Sequence, residues 1–211
     1  MKLSEIKEAL KNGEIKKVAD LTNAAIDAKM PIQNILDTLI GGMDEIGKKF
    51  KNNEIFIPEV LISAKAMHAG LKILEPHLSK SGIKPVGKIG IGTVKGDLHD
   101  IGKNLVAMMF RGAGFEVLDL GIDVPPEKFI DTVKHKDVNI IAMSSLLTTS
   151  MGSMKQVIAE LKAAGLINKV KTMVGGAPVT EEFAGSIGAD GYARDASSAV
   201  DKARELIGLR K

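Results

Sequence analysis

Near the middle of this 211-residue chain the spacing of the apolar residues changes, and that change restricts the fold more than any other feature of the sequence. After the turn-rich segment Ser81-Gly82-Ile83-Lys84-Pro85, β-branched apolar runs cover residues 88–94, 115–120, 138–144 and 170–174, with a weaker one near 191–193. They alternate with helical patterns at 101–111, 127–136, 152–164, 181–187 and 196–208. Parallel strands need a crossover, and a helix is the usual one, so this alternation specifies a doubly wound sheet with helices on both faces. The expectation for residues 87–211 is an α/β, Rossmann-like domain with a flavodoxin-type parallel sheet of five strands.

Residues 1–82 read as helix throughout, with 83–86 as a linker. Ser4 is a candidate cap for a short first helix, a second covers 14–29, Pro31 suits the first turn of a third, and Pro58 opens a fourth. The third carries Ile32, Ile35, Leu36, Leu39, Met43 and Ile46. In the fourth, Val60, Ala64, Met67, Leu71, Leu74 and Leu78 recur at alternating steps of four and three, a stripe wide enough to pack into an all-α four-helix bundle. Gly41-Gly42, inside the third helix, costs about 1 kcal/mol per glycine and signals a close approach by another element or a local break.

Composition removes several function classes. The 29 basic and 26 acidic residues are spread without a dense block, and aromatic residues are 3%, so neither a nucleic-acid surface nor a base-stacking platform is expected. No apolar run reaches membrane-spanning length, and residues 1–12 form a charged amphipathic segment unlike a signal peptide. A soluble, cytoplasmic protein with no membrane partner is the expectation. The absence of cysteine excludes disulfides and thiolate chemistry and removes the usual zinc and iron–sulfur ligands.

Chemistry concentrates in the loop between the first strand and its helix, Lys95-Gly96-Asp97-Leu98-His99-Asp100-Ile101-Gly102-Lys103-Asn104. A lone histidine on a loop is most often structural. Here, however, Asp97 stands two residues before His99, where a carboxylate can accept one ring N–H, fix the tautomer and raise the basicity of the other nitrogen. His68, His77 and His135 sit on predicted helices outside this loop, so a metal bound at His99 must bring its other ligands with it. An axial position beneath a macrocycle suits that condition better than a zinc or non-haem iron site.

In a flavodoxin-like order, ligands bind between the carboxyl ends of the first and third strands. His99 follows the first, Ser144-Ser145-Leu146-Leu147-Thr148-Thr149-Ser150 the third, and Gly175-Gly176 the fourth, so three loops are expected to converge on one crevice. Two competing sites fit less well. Gly90-Ile91-Gly92 begins like a dinucleotide fingerprint, but both glycines lie inside the strand and the third position is Lys95. A Ser150–His99–Asp97 nucleophilic enzyme lacks the G-x-S-x-G elbow.

Asp97-x-His99-x-x-Gly102, Ser144-x-Leu146 and Gly175-Gly176 together resemble the D-x-H-x-x-G, S-x-L and GG signature of cobalamin-binding proteins. The intervals, 41 residues from Gly102 to Ser144 and 28 from Leu146 to Gly175, fit that pattern. The run from Thr93 to Asn104 is especially similar to the methyl-transferring branch, which includes the cobalamin module of methionine synthase and the small corrinoid proteins of methylotrophic methyltransferase systems. The resemblance covers nearly the whole chain.

It implies cobalamin as the cofactor, in its methylcobalamin form. The dimethylbenzimidazole tail is displaced from cobalt and buried in the α/β domain, and His99 is the metal ligand from below. By the same resemblance Gly96, Asp97, Leu98, Asp100 and Gly102 surround the cofactor, and Asp97 and Ser150 extend a relay from His99. Ser144, Leu146 and Thr148 belong to the tail pocket, Gly175 and Gly176 leave room for the tail, and Ala196 matches the last contacting segment. The helical domain resembles a cap in which Phe50, Ile57 and Val60 touch the methyl face; Ile57 replaces a leucine of methionine synthase.

The implied function is a methyl-carrying corrinoid protein, a carrier subunit with no catalysis of its own toward the methyl donor. A substrate-specific, barrel-type methyltransferase loads a methyl group onto Co(I), a second methyltransferase removes it from methyl-Co(III), and a reductive activator protein is a further partner. A barrel takes about 250 residues, which this chain does not have to spare. An adenosylcobalamin mutase subunit shares the α/β domain but not the helical half, and a cobalamin-dependent sensor needs an output module. The donor stays open among methylamines, methanol, glycine betaine, methyl thiols and aryl methyl ethers.

Overall fold

The computed structural model describes residues 3–209. They form two compact units, one running to Val86 and including Arg111–Gly114, the other made of Gly87–Phe110 and the chain from Phe115 onward. Among the described residues no helix is long and apolar enough to cross a membrane.

The first unit contains α1 (Leu3–Lys11), α2 (Ile15–Asp27), α3 (Ile32–Lys51) and α4 (Ile57–Lys80). Ile35, Leu36, Leu39, Met43 and Ile46 of α3, and Val60, Ala64, Met67 and Leu74 of α4, are buried, so the helical periodicity marks the packed faces. Leu71 and Leu78 are half-buried. Gly42 sits where α1 crosses: a Cβ there would meet Leu10 Cδ2 at 3.0 Å, so the glycine pair marks a close approach and α3 runs through it unbroken. Ser4 lies inside the first turn of α1 and not ahead of it, a correction to its expected capping place. Pro31 stands just before α3, at its N-cap. Pro58 is in the first turn of α4, where a missing N–H costs nothing, and Glu59 accepts from the Phe56 N–H at 3.1 Å to close that turn.

The second unit is a five-stranded parallel sheet in the order β2-β1-β3-β4-β5. Its strands are β1 (Lys88–Val94), β2 (Glu116–Val124), β3 (Ile140–Ser144), β4 (Lys171–Gly175) and β5 (Gly191–Ala193). The helices between and after them are α5 (Ile101–Gly112), α6 (Pro126–His135), α7 (Met151–Ala163), α8 (Glu181–Ile187) and α9 (Ala196–Leu206). β1 is buried along nearly its whole length, as a central strand covered on both faces must be. Gly90 and Gly92 lie within β1, and a Cβ on Gly92 would meet Phe129 Cζ of α6 at 3.1 Å. These two glycines therefore admit helix packing, and the dinucleotide reading fails on structure as it did on spacing.

One element departs from expectation. β2 continues four residues beyond the apolar run, to Val124, through two register irregularities against β1, one between Ile91 and Gly92 and one between Gly92 and Val94. Gly121 and Asp123 both have positive φ there, at 94° and 49°, which breaks the alternation that strand reading depends on.

Candidate functional site

Strand order reverses between β1 and β3, and the loops that follow them face each other across the carboxyl end of the sheet. Asp97, in the first loop, is fully buried, whereas the His99 side chain is 52% exposed. Asp97 Oδ1 accepts from the His99 backbone N–H at 3.0 Å and lies 2.7 Å from His99 Nδ1. Asp97 Oδ2 accepts from the Leu146 N–H at 2.6 Å, the Leu147 N–H at 3.2 Å and the Ser150 hydroxyl at 3.1 Å. Ser145 Oγ is 2.7 Å from Ser150 Oγ, completing a hydroxyl pair behind the carboxylate.

Burial opposes the charge on Asp97, but the backbone N–H groups of His99 and Leu146, the His99 ring and the Ser150 hydroxyl outweigh it and hold this carboxyl well below the ordinary carboxylate range. An ionised carboxylate only accepts, so His99 Nδ1 carries a proton, and in the neutral ring the lone pair is therefore on Nε2. Nε2 has no hydrogen-bond partner among the described residues. The outcome is a half-exposed imidazole with one nitrogen locked and the other available.

The loop is anchored on every side. Thr93, buried at the end of β1, donates its hydroxyl to the His99 carbonyl at 2.8 Å. Gly96 N–H donates to Asp123 Oδ1 at 2.7 Å, and Asp123 N–H donates to the Asp97 carbonyl at 3.0 Å. Ser153, in the first turn of α7, donates to the Lys95 carbonyl at 3.0 Å. Lys103 is buried at the start of α5 with its ammonium 2.6 Å from both Asp119 oxygens and 2.6 Å from Asn104 Oδ1, and Asn104 in turn donates to Asp100 at 3.0 Å.

Of the residues singled out in the sequence, Gly96, Asp97, Leu98, His99, Asp100 and Gly102 lie on one side of the switch point. Ser144, Leu146, Thr148 and Ser150 lie on the other, with Ser150 immediately before α7. Gly175 and Gly176 join them through backbone, since Ser145 N–H donates to the Gly175 carbonyl at 3.1 Å. At Gly176, φ is 129° and a Cβ would meet Ser145 O at 1.8 Å, so glycine is required there by the protein's own loop. Ala196 is buried at the first position of α9, beyond the pairing of Gly175 with Ala193. Phe50, half-buried, Ile57, exposed, and Val60, fully buried, belong to the other unit.

Ser145, the Leu147 N–H, Asp123 and the Lys103–Asp119 pair escaped the sequence reading. Ser145 is one hydroxyl in a polar run where spacing distinguishes none, and the rest act across long intervals in the chain.

A B12 binding domain profile matches residues 87–201, more than half of the chain, and a second B12 binding domain profile matches residues 3–75. The chain belongs to the B12-binding corrinoid proteins. It is 41% identical over 210 residues to the trimethylamine corrinoid protein of Methanosarcina barkeri, covering 98% of this chain and 97% of that one. It is 43% identical over 206 residues to dimethylamine corrinoid protein 3 of Methanosarcina acetivorans, covering 97% and 96%. Among solved structures, a chain of the methanol:cobalamin methyltransferase complex from Methanosarcina barkeri superposes with a TM-score of 0.87 at 30% identity, over 98% of this chain and 80% of that one.

Cobalamin is the cofactor of this family, and the switch-point loops of this corrinoid protein fit it. No group of three or more His, Cys, Asp or Glu side chains among the described residues can hold a bare metal ion, and a corrinoid would bring its own ring nitrogens to the metal and ask only one ligand of the protein. Large apolar side chains stand exposed around the switch point: Leu98 at 69% in the His99 loop, Ile101 at 75% at the start of α5, and Leu146 and Leu147 in the facing loop. Apolar surface grouped around an unpartnered nitrogen suits a broad, flat ligand.

Proposed function

We propose that this corrinoid protein is a methyl carrier, with cobalamin held from below by His99. The observation that carries the assignment is the His99 ring itself, locked through Nδ1 by a buried carboxylate and left with Nε2 unpartnered. When bound, cobalamin supplies a cobalt centre able to accept a methyl group from one partner and release it to another. The chain's own part is positional. Asp97 fixes the Nδ1–H tautomer, so Nε2 faces outward as a lone-pair donor. Ser150 and Ser145 stand behind Asp97 and continue a hydrogen-bonded path along which a proton at Nδ1 can be shared. Leu98, Ile101, Leu146 and Leu147, exposed here, would be covered by the bound cofactor and would then exclude water beside the ring. Ser144, Thr148, Gly175, Gly176 and Ala196 are assigned to the cofactor's tail, and Phe50, Ile57 and Val60 to its methyl face.

The chain works with methyltransferases. Its donor is a methylated amine, a reading supported by identities of 41% and 43% to trimethylamine and dimethylamine corrinoid proteins. A barrel-type, substrate-specific methyltransferase delivers the methyl group, a second methyltransferase removes it, and a reductive activator restores the carrier.

The test uses the full chain loaded with cobalamin and reduced, then mixed with a candidate methyltransferase and carbon-14-labelled trimethylamine, dimethylamine or methanol. Label should co-elute with the loaded chain after gel filtration when a methylamine and its methyltransferase are present, and transfer should fall in His99→Ala. Label that never accompanies the loaded chain from either methylamine, or that comes from methanol alone, rejects the amine donor; label that accompanies it from none of methylamines, methanol, glycine betaine, methyl thiols or aryl methyl ethers, each with its methyltransferase, rejects the carrier assignment.

A further inference from the structure

The end of β2 is a strained piece of backbone that touches the His99 loop. Asp123 holds φ at 49°, a left-handed conformation uncommon for a residue with a Cβ, at the point where β2 slips register against β1. Glycine would adopt this conformation with less strain. What aspartate adds is a carboxylate, and that carboxylate accepts the Gly96 N–H at 2.7 Å while the Asp123 N–H donates to the Asp97 carbonyl at 3.0 Å. Two hydrogen bonds of opposite sense thus hold the peptide groups on either side of the Gly96–Asp97 bond. Gly96 itself has φ of 84°, and a Cβ there would meet only Ser150 Cβ, at 4.0 Å, so side-chain packing at this residue is slight and the two hydrogen bonds to Asp123 hold it against the end of β2.

We propose that Asp123 is a positioning residue: its left-handed backbone and its carboxylate hold Gly96 and Asp97 against the end of β2, and so fix where Asp97 places the His99 ring. The inference builds on the assignment of His99 as the cobalt ligand. Asp123 reaches the ring only through Gly96 and Asp97. Its effect belongs to the orientation of the imidazole, not to the identity of the ligand.

Two variants separate this role from backbone strain. Asp123→Asn keeps an acceptor oxygen and tolerates positive φ, whereas Asp123→Gly relieves the strain and removes the acceptor. In the apo full-length chain, Gly96 amide exchange should be about tenfold faster in Asp123→Gly and near wild type in Asp123→Asn, as expected for loss of one hydrogen bond. The nitrogen-15 spectrum of His99 should show a mixed tautomer population in the glycine variant alone. In the cobalamin-loaded Co(II) protein, nitrogen superhyperfine coupling should weaken in the glycine variant and be rescued in the asparagine variant. Wild-type-like Gly96 exchange, tautomer and coupling in Asp123→Gly overturn the proposal. Absence of coupling in the wild type, with the apo differences intact, rejects His99 as ligand and leaves Asp123 as the positioning residue of the loop.

Discussion

Each of the two Asp97 oxygens faces at least one backbone N–H, so an asparagine at this position has no orientation that satisfies both ends of its amide. Whichever way it turns, its NH2 group meets either the His99 N–H or those of Leu146 and Leu147, and a backbone N–H cannot become an acceptor. A buried donor left without an acceptor costs about 1–3 kcal/mol, and two donors turned toward each other cost more. Asp97→Asn should therefore lower the unfolding free energy of the apo chain by about 3 kcal/mol in urea, although the side chain keeps its size. Wild-type stability in that variant would mean that the hydrogen bonds to Oδ2 are dispensable. The pairing of Asp97 with His99 was legible in the sequence because it is local, two residues apart. On the far side of the carboxylate Ser150 was expected from its place in the loop and does donate to Asp97, whereas Ser145 and the N–H groups of Leu146 and Leu147 were not legible, since they reach it from 48 to 50 residues away and two of them donate from the backbone, which carries no residue-type signal.

At the scale of elements, α1 and α3 are joined by an ion-pair cluster in which Glu45 faces Lys7 and Lys11, with Lys11 Nζ 2.8 Å from Glu45 Oε2. Hydrogen bonds from Lys11 and Lys7 lower the Glu45 pKa from 4.5 to about 2. A carboxyl whose folded-state pKa is depressed stabilises the protein fully above its unfolded value, here 4.5, and loses that contribution as pH falls toward about 2. Lys11, raised above 10.5 by hydrogen bonds to Glu45 and Glu8, contributes fully below 10.5 and loses its share as pH rises through its elevated value. The cluster is partly exposed to water, so its worth is below about 1 kcal/mol. The stability gap between wild type and Glu45→Gln, measured in urea, should shrink to less than about half between pH 6 and pH 3. A gap that stays constant over that range would assign the loss in the variant to packing and not to charge. Both elements were readable from their helical periodicity, whereas their ionic tie was not, because many lysines and glutamates on amphipathic helices are equivalent until the helices are placed. The same limit explains β2. Its first half alternates and was found, while its last residues, Gly121-Ile122-Asp123-Val124, are held in the sheet by bulges that no alternation encodes.

For the whole molecule, cofactor binding and folding are one equilibrium. Cobalamin binds the folded second unit, so a free concentration of 100 times its dissociation constant should raise the opening free energy of that unit by about 2.7 kcal/mol. The slowest-exchanging amides of the buried strand β1 report it. The size of the shift in His99→Ala tests how the binding energy is divided. If most of the contact lies in the tail and the apolar loops, with cobalt carrying its own equatorial ligands, loss of the imidazole should weaken binding about tenfold. The variant would then retain about 1.4 kcal/mol of protection at the same cobalamin concentration. The exposed Leu98, Ile101, Leu146 and Leu147 favour that division, since apolar surface already grouped at the site is removed from water whether or not the axial bond forms. A His99→Ala protein whose β1 amides gain no protection would place the binding energy in the cobalt–nitrogen bond, and the loops would then orient a ligand held by His99 alone.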